Sequence, residues 1–380
     1  MSAPPVVRVN SIAGALVIVA LALMGQLAWA QPGPDRPVAA RQGGAGKVTR
    51  KVRLLPVGAA IVPGLLLHGA GHYVAGERDV ARRLFVVEGV GLGMAAVGGT
   101  QLLVTGASRH FSGPPIALIV SGVGLFGMSW LADLYGVAGG GHSAEAGGAA
   151  PLEVEAGYGY VHDPRFAYRQ FAVAEASAWL GSTRVAPSVW VALDDDNQRM
   201  RLEGTRRLVG AGSARPTGDV SRVELTGAVT HHRYPGDGFA VTTGEVMLGG
   251  RLDMGRVGDS LAGSFTELGL GLGAEVTNYY TPGAGANLGE LLLARFACGV
   301  LIGRPDRVHG EASIYYDHRR DTFTGGISPG TGPGSGFAGF FGADLHLYMG
   351  ARWGVRALFE QGAARVANLG LLMRFGGSSP

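Results

Sequence analysis

The sequence predicts a mainly β protein, an antiparallel up-and-down β-barrel of about 12 strands that follows a small glycine-rich helical region. Beyond residue 152, apolar and polar side chains alternate along successive runs, as they do in strands with one apolar face. Clusters of glycine, proline and other turn-forming residues separate the runs. Glycine supplies 66 of the 380 residues, more than twice the usual share of about 7%, and both closely packed helices and tightly curved strands use small residues.

The first segment of the chain has the pattern of a secretory signal peptide. Arg8 lies in a short basic region, an apolar run extends from Ile12 to Met24, and Ala28-Trp29-Ala30 supplies the small residues of a cleavage site. We therefore expect cleavage near Ala30, with an uncleaved anchor helix as the alternative. Residues 31–53 are rich in Pro, Gly and Arg and predict a flexible basic linker.

Three apolar segments follow the linker and predict a bundle of about three helices in or on a membrane. Two of them are long enough to cross about 30 Å of hydrocarbon, and Pro63 interrupts the first. Glu88 and Asp133 place ionisable groups in the second and third segments, and Gly89 with Gly93 has the spacing that lets helices approach closely. A soluble core of buried helices is the alternative. The segments comprise residues 54–72, 84–105 and 115–137.

The rest of the chain divides into twelve predicted strands. An even number returns the C-terminus to the side on which the first strand began, so the two longest connections, residues 279–288 and 319–335, lie at the same end. The strands are predicted at residues 152–161, 167–180, 184–194, 198–209, 220–233, 238–254, 260–278, 289–303, 306–318, 336–349, 352–361 and 364–375. The predicted organisation is a signal peptide at 1–30, a flexible basic linker at 31–53, a helical hydrophobic region at 54–138, a Gly/Ala-rich linker at 139–151 and a β-barrel at 152–376.

The last predicted strand carries a continuous apolar face that ends on an aromatic residue. Leu369, Leu371, Met373 and Phe375 share this face, because every second residue of a strand points the same way. The strand resembles the closing strand of bacterial outer-membrane β-barrels, and the resemblance extends over residues 152–376. It implies a transmembrane barrel in the outer membrane, with the lipid bilayer and the barrel-assembly machinery as partners and these four residues as an assembly signal. An inner-membrane location facing the periplasm is the alternative.

The opposite face of the predicted strands carries charges of both signs. Such a mixed set can pair across a narrow barrel, because unpaired charges in a confined space are costly, and only larger barrels leave wide channels. The sequence therefore favours a small or largely occluded lumen and a structural or narrow-pore, porin-like role, with small solutes as the candidate cargo. The lumen-lining residues are predicted to be Glu224, Glu245, Arg251, Glu267, Glu275, Arg295, Arg307, Glu311, Asp344, Arg356 and Arg374.

Two other classes of protein fit the same pattern. An inner-membrane-anchored protein with a soluble periplasmic β-sheet binding domain would also show alternation, because a half-buried soluble sheet has the same period. An outer-membrane barrel hydrolase would need a nucleophile and a base close together. Five residues could in principle meet at the outer rim for that purpose, but they match no motif, and no catalytic residue is predicted. They are His231, His232, Asp237, Ser313 and His318.

His68 and His72 are the weak candidates for a metal site. Their spacing would place both imidazoles on one face of a helix, but the motif lacks the glutamate of zinc proteases and contains two glycines. A polar turn that faces the membrane interface is the favoured interpretation, so no metal and no cofactor is predicted. The formal net charge of +3 is too small to indicate nucleic acid as a partner.

Overall fold

The protein is described by a computed structural model. The structure describes residues 54–106, 113–139, 150–210, 219–283, 285–303, 308–318, 323–324 and 339–376. The predicted signal peptide and basic linker lie outside these ranges, as does most of the Gly/Ala-rich linker.

Twelve antiparallel strands close into a barrel, which confirms the predicted fold class. Each strand pairs with its neighbours in sequence, and β1 pairs with β12 to complete the closure, so no sheet edge is left open. The strands are β1 Leu152–His162, β2 Gln170–Leu180, β3 Thr183–Ala192, β4 Gln198–Gly210, β5 Arg222–Tyr234, β6 Phe239–Asp253, β7 Ser264–Tyr279, β8 Asn287–Gly303, β9 Val308–His318, β10 Phe340–Met349, β11 Trp353–Gln361 and β12 Arg365–Phe375. We call the end where β1 begins and β12 ends the base, and the opposite end the rim.

The period of two places apolar side chains on the outside of the barrel. Leu369 and Leu371 of β12 are 64% and 63% exposed, and Leu272 of β7 is 62% exposed. Leu372, which follows Leu371 and faces inward, is buried. A closed barrel with an apolar exterior has the surface that contact with lipid requires, because closure pairs the strands with one another and leaves no sheet edge open to lipid.

The connection from β6 to β7 at the base is longer than predicted, because β7 begins at Ser264 and not near residue 260. Two 3-10 turns, Met254–Arg256 and Asp259–Leu261, occupy the connection. The carboxylate of Asp253 accepts a hydrogen bond of 2.8 Å from the backbone N–H of Gly255, which ends the strand and begins the first turn. This connection is where the helical region meets the barrel.

The helical region contains four helices, α1 Leu54–Ile61, α2 Ala70–Ala75, α3 Arg78–Val104 and α4 Gly113–Val137. The first predicted segment is thus two short helices joined through a 3-10 turn at Pro63–Leu65, because proline cannot continue a helix. Gly69 precedes α2 with a φ of 90°, and a side chain there would meet the backbone of Ala81. Among the described residues, α4 alone is long and apolar enough to cross a membrane, a criterion that core helices also meet.

Helices α3 and α4 cross where their glycines meet, but these are not the predicted glycines. Gly89 and Gly93 face open space. The contact instead uses Gly91 of α3 and Gly122 of α4, where any added Cβ would overlap the backbone of the other helix. Glycines recur at several spacings along α3, so sequence spacing alone could not distinguish the buried face from the exposed one.

Helix α4 lies against the outer wall of the barrel. Gly124 packs directly on the ring of Phe296, which points outward from β8. Leu268 and Ala294 also lie on the outer face and are nevertheless buried, at 7% and 1% exposure. At the base, the hydroxyl of Tyr135 donates a hydrogen bond of 3.1 Å to the carbonyl oxygen of Ala262 in the β6–β7 connection. The helical region is therefore fixed to both the wall and the base.

The glycine contact between α3 and α4 predicts a position-specific sensitivity. We expect Gly122→Leu to lower the free energy of unfolding of the helical region by about 1–3 kcal/mol, because the side chain would force the two backbones apart. Gly127→Leu is the matched control, since Gly127 lies on the same helix and faces open space. Urea titration followed by the helical circular dichroism signal measures the difference, and equal midpoints for the two variants would contradict the contact.

Candidate functional site in the barrel lumen

Arg251 of β6 makes the first of several ion-pair bridges across the lumen. Its Nε donates to Glu267 of β7 at 2.6 Å, and its two Nη atoms donate to Glu311 of β9 at 2.9 and 3.3 Å. Strands β7 and β8 separate β6 from β9, so the bonds to Glu311 run through the interior of the barrel. The guanidinium also lies over the ring of Phe265, 3.8 Å from its centroid.

Arg356 of β11 makes a second bridge. Its Nη1 lies 3.1 Å from an oxygen of Glu155 on β1 and 3.5 Å from one of Glu175 on β2. Its Nη2 and Nε donate to the two oxygens of Asp344 on β10 at 3.0 and 3.3 Å. One arginine thus joins carboxylates from three strands, with the two-pronged geometry that makes arginine–carboxylate pairs strong.

The remaining wall repeats this arrangement. Arg201 of β4 pairs with Glu245 of β6 and with Glu203 on its own strand. Near the base, Arg374 of β12 pairs with Glu153 of β1 at 2.7 Å. The charges of the lumen are therefore neutralised by pairing and do not form a field of one sign.

Glycines of the lumen make room for these large inward side chains. Gly299 faces the ring of Phe265, Gly342 faces that of Tyr315, and Gly370 faces the carboxylate of Glu155, each too close for a Cβ to fit. Part of the high glycine content thus follows from a narrow interior. In this barrel, large inward side chains thus lie beside glycines of the neighbouring strand.

An aromatic cluster closes the lumen at the rim, and we call it the rim cluster. Its inner member, Phe323, belongs to the long β9–β10 connection and lies 4.9 Å from Phe171 and 5.7 Å from Tyr168, measured between ring centroids. The next residue, Thr324, donates a hydrogen bond of 2.6 Å to Glu360 of β11, and this bond holds the segment inside the barrel. The buried residues of the cluster are Val161, Tyr168, Phe171, Val173, Ala192, Tyr234, Phe239, Val241, Phe323, Ala364 and Val366.

Nine of the eleven predicted lumen-lining residues take part in ion pairs. Arg307 lies outside the described residues, and Glu275 of β7 is half-buried in register with Gly289 of β8. The paired residues are Glu224, Glu245, Arg251, Glu267, Arg295, Glu311, Asp344, Arg356 and Arg374. The rim cluster was not predicted, although aromatic residues at inward positions near the rim, such as Phe171 and Phe239, indicate it.

The five residues considered for a hydrolase at the rim do not form a site. His231 is exposed on the outer face, whereas His232 is buried in the lumen between Asn197 and Tyr234. Ser313 faces inward in register with Asp344, some distance along the barrel from the rim cluster. Successive residues of a strand point to opposite faces, so the two histidines cannot act together.

The structure corrects the interpretation of His68 and His72, which are buried and do not face an interface. Asp133 of α4 accepts backbone N–H bonds from Gly69, Gly71 and His72 at 3.0 to 3.1 Å, and it accepts a bond from Nδ1 of His72 at 2.5 Å. His68 donates its backbone N–H to Glu88 at 2.9 Å. Among the described residues, no group of three or more His, Cys, Asp or Glu is arranged to hold a metal.

The structure is a closed twelve-stranded antiparallel β-barrel with an apolar exterior and an ion-paired lumen, and this fold is similar to that of outer-membrane β-barrels. No family model matches the chain, and no curated protein matches it. Solved structures similar to it include the outer membrane protein Omp33 of Acinetobacter baumannii, with 11% identity over 60% of this chain and 100% of that one, at a TM-score of 0.31. The KdgM porin in complex with disordered oligogalacturonate shares 6% identity over 59% of this chain and 99% of that one, at a TM-score of 0.35. The translocator domain of the autotransporter NalP from Neisseria meningitidis shares 13% identity over 60% and 90%, at a TM-score of 0.34.

The ion pairs of Arg251 predict a strong effect of its removal. We expect Arg251→Met to destabilise the barrel by about 3–5 kcal/mol, because Glu311 would lose its partner in a confined interior. Adding Glu311→Gln should restore part of this loss by removing the uncompensated charge. Urea unfolding of the refolded barrel in detergent, followed by tryptophan fluorescence, measures both effects. Arg365→Met, at an exposed position on β12, serves as the control, and equal losses at the two arginines would contradict the role of the bridge.

Proposed function

We propose that this protein is an outer-membrane β-barrel with a lumen that is occluded at rest, and that it has a structural or narrow-pore, porin-like role. The observation that carries the proposal is the double obstruction of the interior. Ion pairs cross the lumen between strands that are not neighbours, and the rim cluster fills its outer end around Phe323. A protein built for unobstructed diffusion would have neither the ion pairs across the lumen nor the aromatic cluster at the rim.

The location follows from the surface of the barrel together with the predicted signal peptide. An exported chain with a closed sheet and an apolar exterior is suited to the outer membrane, where the bilayer covers the exposed leucines and valines. The closing strand supports an interaction with the barrel-assembly machinery, because its apolar face, including Phe375, points outward.

The alternative of an inner-membrane anchor with a soluble β-sheet domain is less well supported. In a soluble domain the outer-face residues Val229, Leu272 and Leu369 would be in contact with water, because each is more than half exposed. A continuous apolar surface of this kind is unfavourable in water. Among the described residues, the apolar character of α4 is the feature that favours an anchor.

The charge balance of the lumen limits what a narrow pore would pass. Positive and negative side chains alternate around the wall, so neither sign of ion is favoured strongly. We infer that any solute that permeates is small and is selected by size more than by charge. The separation of His231 from His232 on opposite faces supports a lumen without catalytic function.

The location is tested by membrane fractionation. We expect the protein to be recovered with outer-membrane markers and to migrate faster on a gel before heating than after it. Phe375→Ala should reduce the folded, fast-migrating fraction, whereas Phe341→Ala, at an exposed outer-face position on β10, should not. Recovery with inner-membrane markers would exclude the proposed location.

Conductance in planar bilayers tests the occlusion. The wild-type protein should show little or no current, whereas Phe323→Ala should give larger or more frequent openings, because it removes the centre of the rim cluster. Phe341→Ala again serves as the control, since its side chain faces away from the lumen. A steady wide pore in the wild type would contradict the proposal, as would identical currents in the wild type and Phe323→Ala.

A further inference from the structure

A serine, a histidine and an aspartate form a hydrogen-bonded chain where the helical region meets the base of the barrel. Nδ1 of His72 lies 2.5 Å from Oδ1 of Asp133, and Nε2 lies 3.1 Å from Oγ of Ser260. Ser260 is separated from His72 by 188 residues, so only the docking of the helices on the β6–β7 connection brings the three together. We propose that Ser260, His72 and Asp133 form a nucleophilic site that cleaves esters with an apolar acyl chain.

The hydrogen bonds of Asp133 determine which tautomer the imidazole of His72 adopts. The carboxylate accepts three backbone N–H bonds, from Gly69, Gly71 and His72, and these hold it in place as an anion. An anionic acceptor at Nδ1 favours the tautomer with the proton on that nitrogen. The lone pair of Nε2 then faces Ser260 and can accept the proton of its hydroxyl, which is the arrangement that activates a serine nucleophile.

A second serine–histidine pair in the same region lacks this arrangement. His68 and Ser129 are joined at 2.5 Å, but this bond involves Nδ1 of the ring. In the described part of the chain, Nε2 of His68 has no hydrogen-bond partner. The carboxylate of Glu88 binds the backbone N–H of His68 and not its ring. The contrast makes Ser129 a matched control for Ser260.

Two groups lie close to Nε2 of His72. Gly136 of α4 packs against the ring so tightly that any Cβ there would overlap Nε2. On another side, an oxygen of Glu77 lies 3.9 Å from Nε2, and the side chain of Glu77 is 24% exposed, whereas His72 and Ser260 are buried. Hydrolysis of an acylated serine requires water, and the side next to Glu77 is where solvent comes nearest to the pair.

An apolar groove beside the site indicates the class of substrate. The groove has a volume of about 600 Å³ and lies between α4 and the outer wall of β7 to β11, with residues such as Met128, Ile314 and Phe359 along it. Ala132 and Met254 line the groove and also pack with Leu261, the residue after Ser260. The buried Leu261 thus lies between this end of the groove and Ser260, and an ester in the groove would have to displace it to reach the hydroxyl. Because the groove opens on the outer face, a lipid acyl chain is its natural occupant.

The reaction is an acyl transfer through the serine. Oγ of Ser260 attacks the ester carbonyl carbon while its proton passes to Nε2 of His72. The ester C–O bond breaks, and the departing alcohol takes the proton from Nε2. Water then attacks the acyl-serine, gives a proton to Nε2 and releases the carboxylic acid, after which the proton returns to Ser260.

A fluorophosphonate probe tests for the nucleophile in the full-length mature protein, folded in detergent. We expect the wild type and Ser129→Ala to be labelled and Ser260→Ala to remain unlabelled. Hydrolysis of p-nitrophenyl palmitate should fall on the order of 10³-fold in Ser260→Ala and His72→Gln. Heat-modifiable migration shows that each variant is folded. An unlabelled, folded wild type would overturn the proposal, as would equal labelling of Ser260→Ala.

Chain length tests the groove separately. Ile314 lines the groove and is 52% exposed, so Ile314→Trp should fill the groove without disturbing the barrel. We expect this variant to hydrolyse p-nitrophenyl palmitate more slowly and p-nitrophenyl acetate at the wild-type rate. Val229→Trp is the control on an outer-face position away from the groove. Equal rates for Ile314→Trp and Val229→Trp on palmitate would overturn the assignment of the groove to the acyl chain.

Discussion

The pairing of charges inside a narrow closed barrel is the constraint on which the rest of this structure depends. Twelve strands enclose little more than their own side chains, and an unpaired charge in that space is costly. Arg251 and Arg356 meet this constraint by joining carboxylates from several strands. The large inward side chains Phe265 and Glu155 have a glycine beside them on the neighbouring strand, Gly299 and Gly370 respectively. The pairing of charges, the glycines of the lumen and the occlusion all follow from the narrow interior. The aromatic residues at the rim complete the closure.

Much of the barrel could be predicted from the sequence because the patterns that indicate strands and turns are local. Alternation along each strand and turn residues between strands require no knowledge of partners, and they predicted the number of strands. The partners themselves depend on distant residues. Phe323 lies in a long connection with no period, and nothing near it in sequence indicates that it enters the lumen. The crossing at Gly91 and Gly122 was missed because several glycine spacings along α3 fit equally well.

In the helical region, too, the local pattern could be predicted and the contacts between distant residues could not. Glu88 and Asp133 were visible as ionisable residues in apolar segments, but their partners were not. The loop before α2 and the first turn of α2 supply backbone N–H groups to both carboxylates, so the charges are compensated inside the protein. This stretch carries the two histidines, which were predicted to lie in a polar turn that faces the membrane interface. Buried acids in an otherwise apolar helix required buried donors, and that requirement was a better guide than the spacing of the imidazoles.

The attachment of α4 to the outer wall also determines the order in which the helices and strands can pack during folding. The chain is made from its N-terminus, so the helices are synthesised before the strands on which they pack. Gly124 rests on Phe296, and His72 bonds to Ser260, which lies 188 residues later. Contacts between such distant residues form slowly, because a long loop must close first. The helical region therefore cannot complete its packing until β7 and β8 are present, and during that interval the apolar faces that it buries against the barrel are uncovered.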